Sequence, residues 1–291
     1  MIEFETARWD RQASFRYCQQ LARKTAKNFY FSFLTLPADV RRDMCALYAY
    51  MRVCDDLGDD IAIPLDERRR LLTQWRQSVA SALRDGPTDH PVLPALVEVV
   101  QRRKIPTEPL LEVIDGLEMD LSPFEIETFA QLENYCYHVA GTVGLCCIHI
   151  WGFTGDEPRD LAIQCGLAFQ LTNILRDLSE DAQNGRIYLP LEDFERYSYP
   201  REGLGQGLQN ANFQGFMRFQ CDRARRYYEQ SAPLSHQISP VGRPVLLAMR
   251  RIYGGLLDEI ERRQFDIFSD RVSLPTWKKL AIAAQSYWRA S

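Results

Sequence analysis

Gln170-Leu171-Thr172-Asn173-Ile174-Leu175-Arg176-Asp177-Leu178-Ser179-Glu180-Asp181 lies past the middle of the 291-residue chain and reads as the end of an apolar helix. At about 100° per residue, Gln170, Asn173, Asp177 and Asp181 fall within about 80° of arc. Two amides and two acids therefore ladder one face, while Ala162, Gly166, Phe169 and Leu175 keep the helix apolar nearby. An ordinary wet face fits this pattern poorly, because buried amides and acids need partners. A metal–diphosphate cluster would supply them.

A second acidic segment, Asp55-Asp56-Leu57-Gly58-Asp59-Asp60, ends another apolar helical stretch in the first quarter. Residues four apart share a helix face, so Asp55 and Asp59 point one way and Asp56 and Asp60 form an offset pair. Four acids at a helix C-terminus repel one another and oppose the helix dipole. Magnesium, a hard cation that takes oxygen ligands, would relieve both costs; alone, the segment fits a solvated helix end equally well. Two such helices facing each other could clamp metal ions and a diphosphate, which points to chemistry on prenyl diphosphates. Arginines stand beside both segments: Arg52 three before Asp55, Arg176 next to Asp177, and Arg186 with Tyr188 two further on. Guanidinium offers planar bidentate donors to diphosphate oxygens. Phe29, Phe33 and Tyr48 are aromatic faces that could stabilise a carbocation, although any single ring is more often core.

The remaining chain frames these segments. Apolar spacing is helical nearly throughout and predicts helices near 8–24, 38–58, 66–84, 92–103, 108–120, 128–152, 158–181, 210–231, 241–266 and 274–289. The longest irregular segment predicted runs from Gly185 to about Gln209, the length of a functional flap. No alternating strand pattern, repeat or linker interrupts this, so one all-α domain over 1–291 is the simplest expectation. Gly141 and Gly144, inside the predicted 128–152 helix, each cost about 1 kcal/mol against alanine. Close packing and room for an isoprenoid tail explain them equally well, and the acid motifs favour the second.

The composition is 46% hydrophobic with a formal net charge of −4, which speaks against a nucleic-acid-binding face. The eight cysteines form no CxxC pair or zinc-spaced cluster and read as buried thiols in a reducing cytoplasm. The acidic start is unlike a signal peptide. The longest apolar run, Val139 to Phe153, is too short to span a bilayer. A cytoplasmic location is expected, with membrane contact, where it occurs, peripheral at the inner membrane face. Oligomeric state is not legible.

Taken together, several blocks resemble the squalene/phytoene synthase family of head-to-head prenyl synthases. They are Lys27-Asn28-Phe29-Tyr30, Ala46 to Asp56, Tyr135-Cys136-Tyr137 with Val139 to Gly144, Gln170 to Asp181, and Gly185-Arg186-Ile187-Tyr188-Leu189-Pro190. The resemblance covers nearly the whole length. It implies an isoprenoid-synthase helical bundle around a central apolar cavity. It also implies metal ligands at Asp55, Asp59, Asn173, Asp177 and Asp181, for magnesium, with manganese as a substitute. Asn28, Gln170, Arg52, Arg176, Arg186, Tyr188, Tyr253 and Arg271 fall on diphosphate-side positions. Tyr48, Phe29, Phe33, Val139, Val143, Gly144 and Gly166 fall on cavity positions. Ala26 and Asn28 depart from the family, many members of which carry serines just before the first aromatic; Asn28 can still donate to a diphosphate.

The expected reaction joins two prenyl diphosphates through a cyclopropylcarbinyl diphosphate. The flavour of the motifs slightly favours the squalene pathway from farnesyl diphosphate, with phytoene from geranylgeranyl diphosphate close behind. NADPH is implied only if squalene is the product, and no GxGxxG fingerprint is present. The rivals are a terpene synthase, an enzyme hydrolysing presqualene diphosphate, and a non-catalytic binding relative. The complete acid motifs argue against the last.

Overall fold

Local chemistry sets where the helices begin. Asp10 accepts a hydrogen bond from Ala13 N at 2.7 Å and opens α1 (Arg11–Thr25). Thr128 and Gln131 form a reciprocal capping box that opens α7 (Phe129–Cys136). Asn210 accepts from Phe213 N at 2.9 Å and opens α11 (Ala211–Gln230). The computed structural model describes residues 9–60, 62–121 and 125–290, with the side chains of 27–29, 59, 289 and 290 outside the described set.

The other helices are α2 (Lys27–Phe33), α3 (Ala38–Asp59), α4 (Leu65–Ala82), α5 (Leu93–Arg103), α6 (Glu108–Met119), α8 (Thr142–Trp151) and α9 (Arg159–Gln183). They are followed by α10 (Leu191–Arg196), α12 (Leu234–Gln237), α13 (Arg243–Arg262) and α14 (Thr276–Ala290). Among the described residues the only β pairing is an isolated bridge between Phe153 and Ile238. The fold is all-α.

Three expectations need correction. The segment 185–209 is not wholly irregular: it holds α10 and a short 3-10 turn, Arg201–Gly203. Leu191 N donates to Ile126 O at 2.9 Å, which fastens the start of α10 to the strand-free segment before α7. The predicted 128–152 helix is broken by a π-helical turn, Tyr137–Gly141. Such turns shift the side-chain register inside a helix and gather at functional sites. The predicted 241–266 helix stops at Arg262, after which Gln264 and Phe265 adopt left-handed φ angles of 52° and 62°.

Two apolar clusters fill the interior. One joins α1, α3, α4, α5, α6 and α8, with Tyr50, Leu72, Leu96 and Ile114 fully enclosed. The other joins α7, α9, α11 and α13, with Phe213, Phe216 and Leu256 at its centre. Ile163 and Phe169 on α9 pack against both, so α9 links the two. The eight cysteines are all buried free thiols.

The glycines of α8 and α9 explain how these helices come so close. A Cβ on Gly166 would lie 2.4 Å from Ala140 O, and one on Gly144 would lie 2.6 Å from Ala162 O. Both distances are far inside contact with backbone that cannot swing away. Gly144 and Gly166 do face the cavity described below, yet the direction a side chain would take is filled by the neighbouring helix. Backbone packing is therefore what requires glycine there, rather than room for a tail. Gly141 is less tightly held, with a Cβ 3.2 Å from the Tyr137 side chain and 3.3 Å from that of Ile163.

Candidate active site

Helices α3, α6, α8 and α9, the π-turn and the Arg186–Tyr188 segment surround one cavity of about 540 Å³. Its size is that of a small-molecule site. Met44, Leu47, Val113, Val143, Ile148 and Trp151 make much of the wall apolar. The polar groups come from two places: Arg52 and Asp55 at the end of α3, and Gln170, Asn173, Arg176, Asp177 and Asp181 along α9. The two acid segments thus share one hollow. Tyr48, Phe33, Val139, Arg186 and Tyr188 line it as well.

The α9 ladder is largely shielded from water. Asn173 Nδ2 donates to Gln170 Oε1 at 3.3 Å, while Asn173 Oδ1 is buried with no hydrogen-bond partner. Asp177 accepts from Arg176 Nε at 2.8 Å and from Arg271 Nε at 2.8 Å. Arg271 also approaches Glu180 at 3.7 Å. Burial, followed by the negative charges of Asp177 and Glu180, pushes Asp181 up to about 7. Arg186 opposes that rise. The orphaned amide oxygen of Asn173 and, two turns on, the carboxyl of Asp181, whose charge burial disfavours, are both groups that a hard cation would satisfy.

The α3 end differs. Asp55 lines the cavity, whereas Asp56 is paired with Arg52 on the outer side. Tyr48 is held by a hydrogen bond from its hydroxyl to Thr25 Oγ1 at 3.1 Å. The side chains of Asn28, Phe29 and Asp59 lie outside the described residues. Among the described residues no three His, Cys, Asp or Glu groups converge as a formed metal cluster. Asp177 is instead neutralised by its two arginines.

Two predicted substrate-side residues do not reach the cavity surface. Tyr253 is buried one ring back, stacked on the cavity-lining Phe169 at 4.9 Å between centroids. Arg271 sits at the rim, half-exposed, holding Asp177 from outside.

Sequence reasoning missed Asp120. This acid lines the cavity and accepts from Tyr188 Oη at 3.0 Å and Tyr135 Oη at 2.9 Å. The two tyrosine rings stack at 5.0 Å between centroids. A signal was available: Val113, Leu117 and Asp120 are spaced four and three apart, so the acid closes an apolar stripe of α6.

The squalene/phytoene synthase family model matches residues 22–278. The chain belongs to the squalene/phytoene synthase family. Members of this family condense prenyl diphosphates head to head, and the chain is a prenyltransferase of that type. It is 36% identical to a phytoene synthase from Arthrospira platensis, over 96% of this chain and 94% of the relative. It is 34% identical to the 15-cis-phytoene synthase of Synechococcus elongatus, again over 96% and 94%. Among solved structures, a ligand-bound dehydrosqualene synthase superposes with a TM-score of 0.88 at 28% identity, covering 96% of this chain and 98% of the other. The squalene synthase HpnC from Alicyclobacillus acidocaldarius superposes with a TM-score of 0.80 at 26% identity, covering 87% and 95%. The squalene/phytoene synthase fold thus accounts for the bundle, and both acid segments fall inside the matched range.

Proposed function

We propose that this prenyltransferase makes phytoene from two geranylgeranyl diphosphates, with magnesium held by Asp55, Asp59, Asn173, Asp177 and Asp181. The initial lean toward squalene yields to the relatives, which are named phytoene synthases at 36% and 34% identity. The observation that carries the reading is a single apolar hollow with an amide–acid ladder on one wall and arginines beside it. When bound, the metal would offset the charge that grows on the departing diphosphate.

The protein's own groups do the rest. Arg52, Arg176 and Arg186 and the hydroxyl of Tyr188 bind diphosphate oxygens and fix the allylic carbon over the apolar wall. Arg176 and Arg271, which hold Asp177 here, are free to turn to that anion once Asp177 takes another cation. The wall of Leu47, Val113, Val143 and Ile148 keeps water from the allylic cation. The faces of Phe33 and Tyr48 stabilise it while the second chain's double bond attacks. The cation that results loses a proton to the released diphosphate as the cyclopropane ring closes, and the cyclopropylcarbinyl diphosphate so formed then loses its own diphosphate and rearranges. Loss of a second proton, again to diphosphate, completes phytoene.

The deciding experiment incubates the protein with farnesyl or geranylgeranyl diphosphate, with and without Mg²⁺ and NADPH, and weighs the products. Phytoene from the twenty-carbon substrate, dependent on the metal and indifferent to NADPH, is expected. Squalene from the fifteen-carbon substrate with NADPH alone would overturn the choice of product.

A further inference from the structure

A second recess lies between α1, α2 and the start of α3. It measures about 250 Å³ and is lined by Gln19, Arg23, Tyr30, Leu34, Arg41 and Cys45. None of these six lines the catalytic cavity. The recess is less than half the size of that cavity and smaller than a drug-sized site, so it admits a small ion and no prenyl chain. No carboxylate lines it, while two guanidinium groups do, one from α1 and one from α3.

These arginines have donors to spare. Arg23 Nε donates to Tyr30 Oη at 3.0 Å, which braces the guanidinium and leaves the tyrosine's own proton free to be donated. No described carboxylate pairs with Arg23 or Arg41. The acids at the start of α3 are already taken: Asp39 lies 3.7 Å from Arg103, and Asp43 is held by Arg102 and Arg103. Positive charge is also concentrated here. From Arg11 to Arg42 the chain holds seven basic residues and one acid, Asp39, although its net charge is −4. Both arginines stand near the Cys45 thiol: burial pushes it up to about 11, and the charges of Arg41 and then Arg23 oppose that rise.

The chemistry of the walls selects the occupant. Guanidinium forks match carboxylate and phosphate oxygens. A carboxylate presents both oxygens on one side, whereas a tetrahedral phosphate offers oxygens to two forks and to the Tyr30 hydroxyl at once. Gln19 adds an amide donor. We infer that this recess binds one phosphate-type anion, inorganic phosphate or diphosphate, at a site separate from the catalytic cavity. Diphosphate is the ion that prenyl transfer releases, and Cys45 directly follows the cavity-lining Met44. The choice of diphosphate rests on the prenyl-transfer reading; the anion site itself does not. An ion held there joins α1 to α3, and α3 carries the cavity-lining Tyr48.

Calorimetric titration of the full chain in EDTA and about 0.15 M salt tests the site without metal and with exposed charges screened. Sodium diphosphate and sodium orthophosphate are titrated separately. Each should bind one to one, and the lower Kd, expected for diphosphate, names the natural occupant; equal values overturn that choice in favour of orthophosphate. R23Q and R41Q should each weaken binding by about tenfold or more, the loss of one charge-assisted hydrogen bond. R23K/R41K keeps the charge without the forks and should fall between wild type and R23Q/R41Q. R186Q, altered in the catalytic cavity, should bind as wild type does. R23Q/R41Q should keep the wild-type thermal midpoint when no anion is present. Failure of both ions to saturate marks adventitious binding only and overturns the inference. So does wild-type affinity in R23Q/R41Q, or loss of binding in R186Q alone. No arm reads turnover, so failure here leaves the catalytic reading standing.

Discussion

The two acid segments have similar composition and opposite surroundings. At the end of α3, Asp55 and Asp56 are exposed, and the Arg52–Asp56 pair is screened by water. Along α9, Asn173, Asp177 and Asp181 are half-buried against an apolar wall, one amide oxygen lacks a partner, and two arginines hold Asp177. Water solvates the first set of charges. The second set depends on cations brought to it. The α9 segment is thus the part of the site that a bound cation changes most.

The comparison breaks first at Asp177. D177A should lower turnover by roughly 1,000-fold or more, because it removes a proposed metal ligand and leaves Arg176 without its carboxylate. Magnesium-dependent diphosphate release measures this, and near-normal release would refute the α9 assignment. At the α3 end, D55N should cost roughly 100-fold, since Asp55 faces the cavity. D56N should change turnover by less than about threefold and stability by under about 1 kcal/mol, as expected for an exposed pair. Equal losses from the two substitutions would mean that the outward carboxylate also serves the site.

Each acid helix also carries a glycine, and the two should respond in opposite directions. On α9, G166A drives a methyl into Ala140 O and should destabilise the protein by about 1–3 kcal/mol or more. On α3, a Cβ at Gly58 meets only Leu117 carbons at 3.7 Å. G58A should therefore stabilise by about 0.5–1 kcal/mol through helix propensity. Thermal unfolding of the pair checks both signs. A stable G166A would show that α8 and α9 can part without cost.

What the sequence could reveal follows from the range of its signals. The α9 ladder was legible because all four rungs lie on one helix, within three turns. Helices α2, α10 and α12 have 7, 6 and 4 residues, too short for a 3.6-residue period to declare itself. The π-turn at Tyr137–Gly141 is invisible to that period by construction. Asp120 escaped because its partners arrive from α7 and from the segment after α9, and local spacing carries no record of such convergence. The glycines were legible as costs, but what offsets them depends on which backbone lies opposite, and this emerges only in three dimensions.

The pH response of Asp181 sharpens the contrast at the level of a single carboxyl. Its folded pKa, about 7, lies above its ordinary value of 3.8 because burial and its acidic neighbours disfavour the carboxylate. Between those values the folded protein binds more protons than the unfolded chain, so this group's contribution to stability falls as pH rises from about 4 to about 7. D181N removes the titration. Without metal it should unfold at the same temperature as wild type near pH 4. Near pH 8 it should be more stable by roughly 1–2 kcal/mol, allowing for partial exposure of the carboxyl. Adding Mg²⁺ near pH 8 should reverse the ranking, since the cation stabilises the wild-type carboxylate and finds a poorer ligand in the amide. An exposed acid such as Asp56 should show neither the metal-free gain nor the reversal when replaced by Asn. If D56N behaved as D181N does, the contrast between a solvated and a cation-dependent segment would fail.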